Sequence, residues 1–234
     1  MSGEHPGAAE FDAHAESYDE DLARGLAASG EDKEFYARGR IKWLARRMRE
    51  RGATARRVLD FGCGDGFAAP LLSEILHAES VTGVDVSEGL LQQARSRYPD
   101  HRFSFLQLEG WSPTAPFDLA YTNGVFHHIP PGERASALER VANALRPGGL
   151  FAFWENNPWN PGTRMVMRRI VFDRDAITIS PPAARRLLEG AGFRVLHLDT
   201  LFYFPRALSW LRGLEPALSP LPLGGQYLVL ARRP

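Results

Sequence analysis

A glycine-rich turn between an apolar run and a helical segment carries the clearest chemical signal in this sequence. Residues 58–67 read VLDFGCGDGF, so Gly62, Gly64 and Gly66 stand at alternate positions. Glycine lets the backbone turn sharply and lets a bound molecule approach it closely. A tight strand–helix turn also needs glycine for purely structural reasons, so the glycines alone do not identify a ligand.

Acidic side chains around this turn narrow the chemistry of the ligand. Asp60 precedes the turn, Asp65 lies inside it, and Asp85 ends the next apolar run. Two carboxylates would repel a pyrophosphate at this helix N-terminus, whereas they would attract a ligand with an ammonium and a sulfonium group. Asp85 could accept hydrogen bonds from both hydroxyls of an adenosine ribose. Because the spacing is also G-x-G-x-G rather than G-x-G-x-x-G, the turn favours S-adenosylmethionine over NAD.

Residue types that act as bases follow the later apolar runs. Glu155 ends the fifth run, where a carboxylate could be a base, bind a substrate or remain solvated. His127 and His128 follow the fourth run, where an imidazole could be a general base. Cys63 is interpreted as a small core side chain. Since no His, Cys or carboxylate set has the spacing of a metal site, the sequence predicts no metal ion.

The elements that must position these residues alternate between strand-like and helical patterns. Helical segments of about ten to fifteen residues separate the runs, which predicts βαβ units and a mostly parallel sheet in an α/β fold. Ser87 and Ser180 are predicted to begin helices, and residues 195–204 and 226–233 to be the last two strands. The earlier apolar runs cover residues 58–61, 81–86, 103–108, 117–122 and 150–155.

Three segments interrupt this alternation and are predicted to form a helical cap. The sequence divides into an N-terminal cap, residues 1–50, and an α/β domain, residues 51–234, with cap insertions at 156–180 and 205–225. The large apolar side chains of the cap favour an apolar or aromatic substrate, although they could equally be core residues. They are Phe35, Tyr36, Trp159, Phe172, Phe202, Tyr203, Phe204, Trp210 and Leu211.

The last insertion is predicted to contain an amphipathic helix, because Leu208, Leu211, Leu214 and Leu218 recur at helical spacing. An apolar stripe of this kind must pack on another surface. We expect it to cover the substrate side of the sheet, against the N-terminal helices, with Trp210 near the substrate. A peripheral brace or a dimer contact is the alternative.

Composition limits the partners and the compartment. Twenty-eight Lys and Arg balance twenty-eight Asp and Glu, which disfavours nucleic acid as the main ligand. No apolar stretch has the length of a membrane span. The absence of a secretory signal pattern and the single cysteine are typical of a cytoplasmic protein. The sequence does not predict an oligomeric state.

Four motifs stand in the order and spacing of a known family. They are the turn at 58–67, Asp85, the run FDLAYTNGVFHHI at 117–129 and LRPGG at 145–149. Together they resemble the class I S-adenosylmethionine-dependent methyltransferases, strongly over residues 40–155. The resemblance implies a Rossmann-like, doubly wound sheet of seven strands, mostly parallel with an antiparallel last strand. It also implies methyl transfer to a small-molecule acceptor.

The resemblance extends to residues that would hold the cofactor. It implies that Asp60, Gly62 and Gly64 line the methionine end of S-adenosylmethionine. It also implies that Asp85 holds the ribose and that Val86 lies under the adenine.

Three further cofactor contacts follow from the same resemblance. Asn123 is expected beside the methionine moiety, and Arg40 at the cofactor carboxylate, unless Arg40 is a solvated charge. The family often has Asp-Ala after the third strand to meet the adenine amino group. Here residues 107–111 read QLEGW, so Glu109 and Gly110 are assigned to that contact.

The resemblance leaves the catalytic groups open. In-line methyl transfer needs a base only when the nucleophile carries a proton, and His128 and Glu155 are the candidates. The family commonly has a structural His pair, so His128 could serve packing instead. Two other functions remain: a methyltransferase-like protein with a regulatory or non-methylating role, and a NAD-dependent oxidoreductase, which the turn disfavours.

Overall fold

One mixed sheet organises the computed structural model, which describes residues 12, 18–173 and 176–234. Its strand order is β3-β2-β1-β4-β5-β7-β6. β7 runs antiparallel to β5 and β6, and the other neighbouring strands are parallel, which confirms the predicted fold. The strands are β1 (Arg57–Phe61), β2 (Ser80–Asp85), β3 (Phe103–Gln107), β4 (Phe117–Asn123), β5 (Leu145–Asn156), β6 (Arg194–Leu201) and β7 (Gln226–Arg232).

Helices flank the sheet, and both serines predicted to begin a helix directly precede one. The Ser87 hydroxyl accepts a hydrogen bond from the Leu90 N–H and caps α4 as predicted, whereas Ser180 precedes α7 without a side-chain cap. The helices are α1 (Tyr18–Leu26), α2 (Lys33–Arg49), α3 (Ala68–Leu76), α4 (Glu88–Arg97), α5 (Arg134–Ala144), α6 (Pro161–Met167), α7 (Pro181–Gly190) and α8 (Glu215–Leu218).

The sheet buries apolar side chains on both faces. Val58 and Leu59, adjacent in β1, belong to opposite layers of the core because successive side chains of a strand point to opposite faces. Ile41 and Leu44 of α2 are fully buried in the layer that contains Val58. Part of the predicted N-terminal cap is therefore also part of the core; residues 1–11 and 13–17 of that cap lie outside the described residues.

Three elements differ from the sequence prediction by more than one residue. Strand β5 begins at Leu145, not at residue 150. Strand β6 ends at Leu201, not at residue 204, and Phe202 has a φ of 62°. Residues Arg206–Leu214 form a 3₁₀-helix that is kinked at Leu208 (φ −113°, ψ 24°) instead of the predicted α-helix. In the described ranges, no helix is long and apolar enough to cross a bilayer.

Candidate active site

A cavity of about 720 Å³ opens at the carboxyl ends of β1, β2 and β4. The strand order places this edge at the point where neighbouring connections diverge, which is where open α/β sheets bind ligands. The sheet side of the cavity is lined by Asp60, Gly62, Gly64, Asp85, Val86 and Asn123. The fold therefore brings most of the predicted cofactor residues to one wall.

The three glycines of the turn have positive φ angles but different surroundings. A Cβ on Gly62 would lie 2.3 Å from Cγ2 of Val125, and one on Gly66 would lie 2.7 Å from the Phe105 ring. A Cβ on Gly64, where φ is 52°, would meet only a Leu90 carbon at 3.9 Å. Packing thus explains Gly62 and Gly66, whereas Gly64 keeps the cavity wall open.

Asp60 presents a buried carboxyl group to the cavity. The side chain is 3% exposed, and its Oδ2 has no hydrogen-bond partner within the described part of the chain. Burial, together with the nearby carboxylates of Asp85 and Asp65, raises the pKa of Asp60 to about 8, while Arg40 opposes the increase. A buried acceptor oxygen left without a partner is suited to a cationic group of a ligand.

Asp85 is held in place by the backbone of the turn. Its Oδ2 accepts a hydrogen bond from the Gly64 N–H at 2.8 Å, and its Oδ1 accepts one from the Ser87 N–H at 3.0 Å. Burial raises the pKa of Asp85, and these backbone bonds oppose that increase. A carboxylate has about four acceptor positions, so Asp85 retains capacity for the two hydroxyls of a ribose.

Asp65 does not supply the free negative charge that its position suggested. Its Oδ2 lies 2.8 Å from Nζ of Lys33 and 2.6 Å from Nη1 of Arg97. The charge is therefore compensated within the protein, and Asp60 is the acid with an unpartnered oxygen. Both cations are distant in sequence, so residue spacing could not predict these ion pairs.

Arg40 extends from α2 to the cavity, and the interpretation of this residue as a solvated charge is wrong. It is 7% exposed. Its Nε donates a hydrogen bond to the Tyr121 hydroxyl at 3.2 Å, and its Nη1 donates one to Oε1 of Gln226 at 2.9 Å. These bonds fix a guanidinium beside the wall that contains Asp60 and Asn123.

Glu109 and Gly110 do not reach the cavity. Both are exposed and neither lines it, whereas Leu108 does. The Leu108 N–H donates to the Asp85 carbonyl at 2.8 Å, so the chain runs alongside β2 for one more residue before it turns outward. The assignment of Glu109 and Gly110 to the cavity is therefore wrong, and Leu108, the residue before them, lines it instead.

Glu155 is buried beneath the cavity wall and is neither a solvated residue nor a group that lines the cavity. It is 1% exposed. Its Oε1 accepts a hydrogen bond from the Phe126 N–H at 2.8 Å, and its Oε2 lies 2.5 Å from Nδ1 of His127. Any effect of Glu155 on a substrate must therefore pass through His127.

Asp173, which lies in the insertion at 156–180, contacts both His127 and His128. Its Oδ1 lies 3.4 Å from Nε2 of His127 and 3.2 Å from Nε2 of His128. Burial alone would lower the pKa of His127, but the carboxylates of Glu155 and Asp173 raise it to about 10. Burial alone would raise the pKa of Asp173, but the hydrogen bonds and charges of the two imidazoles outweigh it. The pKa of Asp173 is therefore lowered to about 2. Sequence reasoning missed Asp173 because 45 residues separate it from His128.

Aromatic side chains form much of the opposite wall. Tyr36 contacts both Phe35 and Phe202 edge-to-face, with ring centroids 5.2 and 4.9 Å apart. Of the aromatic and aliphatic residues predicted for the substrate pocket, those that line the cavity are Phe35, Tyr36, Phe172, Phe202, Tyr203 and Phe204.

The position predicted for Trp210 is wrong. Trp210 is 77% exposed and does not line the cavity, because the kinked 3₁₀-helix turns it to solvent. Arg212 makes the contact with the N-terminal region instead. Its Nη2 lies 2.7 Å from Oε1 of Glu31, and its guanidinium lies 4.3 Å from the centre of the Phe35 ring.

Comparison with known proteins finds methyltransferases by domain model and by sequence. A methyltransferase domain model matches residues 58–149. A trans-aconitate 2-methyltransferase of Methylobacterium nodulans is 31% identical over 77% of this chain and 76% of its own length. One from Rhodopseudomonas palustris is 32% identical over 72% of this chain, which spans 59% of that relative.

A solved structure agrees at the level of the fold. Human N-acetylserotonin methyltransferase in complex with S-adenosylmethionine matches with a TM-score of 0.66 and 19% identity, over 98% of this chain and 60% of that one. The dinucleotide oxidoreductase alternative is not favoured. Since sheet order, glycine turn and a relative with 31% identity over most of both chains agree, this chain belongs to the class I S-adenosylmethionine-dependent methyltransferases.

Proposed function

We propose that this chain transfers a methyl group from S-adenosylmethionine to a small, apolar or aromatic acceptor. The observation that carries the proposal is the unpartnered, buried oxygen of Asp60 at the wall of the cavity, beside the carboxylate of Asp85. Membership of the family implies S-adenosylmethionine as the cofactor, and the two carboxyl groups suit its polar groups. Asp60 can accept a hydrogen bond from the ammonium group of the methionine moiety, and Asp85 can accept hydrogen bonds from the ribose hydroxyls.

The described residues suit separate parts of the cofactor. We assign Asp60, Gly62 and Gly64 to the methionine end, and the guanidinium of Arg40 to its carboxylate. Asn123 lines the same part of the wall.

The adenosine half would be held by the ends of β2 and β3. Asp85 is assigned to the ribose hydroxyls and Val86 to the adenine face. Leu108 replaces Glu109 and Gly110 as the residue against the adenine, because only Leu108 of these three lines the cavity.

The bound cofactor would supply a methyl group on a sulfonium, which is already a good leaving group. The chain then has to place the acceptor in line with that group and exclude water. Positioning of this kind can contribute about 7–11 kcal/mol. The walls from α1, α2, α6 and residues 202–205 cover the cavity and serve this purpose.

The side chains facing the acceptor space favour an uncharged molecule. Trans-aconitate, the substrate in the names of the relatives, carries three carboxylates. Of the cationic side chains that line this cavity, Lys33 is engaged by Asp19 and Asp65, and Arg40 is assigned to the cofactor carboxylate. Arg140 donates a hydrogen bond to the Leu108 carbonyl at 3.5 Å. Aromatic and aliphatic groups make up much of the remaining wall, and they include Met165, Ile170 and the rings that surround Tyr36.

Calorimetric titration and a transfer assay test this function. S-adenosylhomocysteine should bind with one site per chain and NAD should not. Asp85→Ala should weaken S-adenosylhomocysteine binding by about 1–3 kcal/mol, because charge-assisted hydrogen bonds are lost. Asp100→Asn, on an exposed loop, is the matched control.

The acceptor class is tested by methyl transfer from isotopically labelled S-adenosylmethionine. A panel of apolar and aromatic hydroxyl, amine and carboxyl compounds is compared with trans-aconitate. We expect transfer to members of the panel and little to trans-aconitate. Preferred methylation of trans-aconitate would overturn the acceptor class, and NAD binding without S-adenosylhomocysteine binding would overturn the function.

A further inference from the structure

Three potential metal ligands converge on the cavity wall. One ligand atom each from His127, His128 and Asp173 lies within 4.8 Å of the other two. Oδ1 of Asp173 is 3.4 Å from Nε2 of His127 and 3.2 Å from Nε2 of His128. All three side chains are at least largely buried, and all three line the cavity.

The separations of these atoms suit a bound transition metal. Zinc binds imidazole nitrogen and carboxylate oxygen at about 2.0–2.1 Å, so two ligands at a tetrahedral angle lie about 3.3–3.4 Å apart. The 3.4 and 3.2 Å separations from Asp173 agree with this value, and the two histidine ligand atoms lie within 4.8 Å of each other. By contrast, a charge-assisted N–H···O hydrogen bond is usually shorter, at about 2.7–2.9 Å.

Glu155 supplies the outer partner that metal-binding histidines commonly have. Its Oε2 lies 2.5 Å from Nδ1 of His127, on the ring atom opposite the one facing Asp173. Its other oxygen accepts the Phe126 N–H, so the carboxylate is fixed from two sides. A carboxylate on the distal nitrogen orients the ring and selects the tautomer whose Nε2 can bind a metal.

We propose that His127, His128 and Asp173 form a binding site for one divalent transition-metal ion of the zinc class. Two imidazoles and one carboxylate are ligands that such ions accept, and three protein ligands leave a coordination position open. Because the ligands line the cavity, that position faces the acceptor space; this last step rests on the proposed function. The sequence predicted no metal site because the fold, and not local spacing, brings Asp173 to the histidine pair.

Titration with the metal alone tests the site without any acceptor. We expect the wild-type protein, stripped with chelator, to bind one Zn²⁺ per chain by calorimetry and one Co²⁺ with visible d–d absorption. His128→Gln and Asp173→Asn should each weaken binding at least tenfold. Glu155→Gln should weaken it by about 10–100-fold, as loss of an outer partner does.

His101→Gln is the matched control, because His101 is exposed and pairs with Asp100 away from the cavity. It should leave metal binding unchanged. Circular dichroism and S-adenosylhomocysteine binding verify that each variant is folded, and they also separate this proposal from the proposed function. The site would be overturned if the wild-type chain did not bind metal stoichiometrically. It would also be overturned if His128→Gln and Asp173→Asn bound the metal as tightly as the wild type.

Discussion

At the scale of single residues, the partners of each buried acid, rather than its residue type, decide what it does. Asp60, Asp65 and Asp85 stand around one turn, yet only Asp65 is neutralised by cations of the protein itself. Asp85 is stabilised by backbone N–H groups, and Asp60 has a pKa of about 8. In the unliganded protein at neutral pH, Asp60 therefore holds a proton that a cationic ligand would displace.

This property predicts how stability depends on pH. Because the pKa of Asp60 in the folded chain, about 8, lies above its ordinary 3.8, the folded chain keeps a proton that the unfolded chain has released. The contribution of Asp60 to the free energy of unfolding is greatest below pH 3.8 and falls as pH rises toward 8. Asp60→Asn should remove this decrease.

Urea denaturation of the cofactor-free protein across this pH range checks the prediction. The difference in unfolding free energy between wild type and Asp60→Asn should change by more than about 1 kcal/mol, since one pKa unit corresponds to about 1.4 kcal/mol. Parallel pH profiles for the two proteins would contradict it. Asp118→Asn, at the amino end of β4 and outside the cavity lining, supplies a second profile for comparison.

At the scale of elements, the turn between β1 and α3 combines packing and ligand access. Gly62 and Gly66 are required because neighbouring side chains occupy the space of a Cβ. Gly64 is favoured by its φ of 52°, and its backbone N–H donates a hydrogen bond to Asp85. The same turn therefore joins the strand to the helix and fixes an acid at the cavity.

Gly64→Ala separates these two functions of the turn. The positive φ should cost about 1–2 kcal/mol of folding stability. Gly110→Ala is the matched control, since its φ is 71°, a Cβ there meets nothing within 4 Å, and it does not line the cavity. We expect similar losses of stability in thermal melts.

Only Gly64→Ala should also weaken S-adenosylhomocysteine binding, by tenfold or more in calorimetry, because the added methyl group projects where a ligand would approach the backbone. Equal affinities of the two variants would show that the turn at Gly64 does not approach the ligand.

At the scale of the whole molecule, the N-terminal helix α2 connects the cavity to the far edge of the sheet. Asp199 of β6 accepts two hydrogen bonds from Arg47, each 2.7 Å long, and one from the Trp43 indole N–H at 2.9 Å. These hydrogen bonds raise the pKa of Arg47, so the guanidinium remains charged. Arg40 on the same helix reaches the cavity wall, so the position of α2 affects the site.

Asp199→Ala should therefore destabilise the fold strongly. It leaves Nε and Nη2 of the Arg47 guanidinium and the buried Trp43 indole N–H without an acceptor, while Nη1 keeps Glu50. We expect a cost of about 2–3 kcal/mol. Glu189→Ala removes an exposed pair with Arg185 and should cost about 0.5 kcal/mol or less. Chemical denaturation measures both, and similar losses in the two variants would contradict a structural role for Asp199.

Local sequence was sufficient for the strands and for the glycine turn between β1 and α3. Short apolar runs bounded by glycine and polar residues predicted all seven strands, although β6 ends three residues earlier than predicted. The positions of Asp60, Asp85 and Asn123 followed, because each is the last or next-to-last residue of a parallel strand and such ends meet at one edge.

Contacts between distant segments were decided only by the tertiary structure. The partners of Asp65, the position of Arg40 and the grouping of Asp173 with His127 and His128 all join residues more than 30 positions apart. No local periodicity encodes such pairs, because they depend on how the connections between elements are routed over the sheet. The exposure of Trp210 has the same origin: a kink at Leu208 rotates the helical stripe that spacing alone would have turned inward.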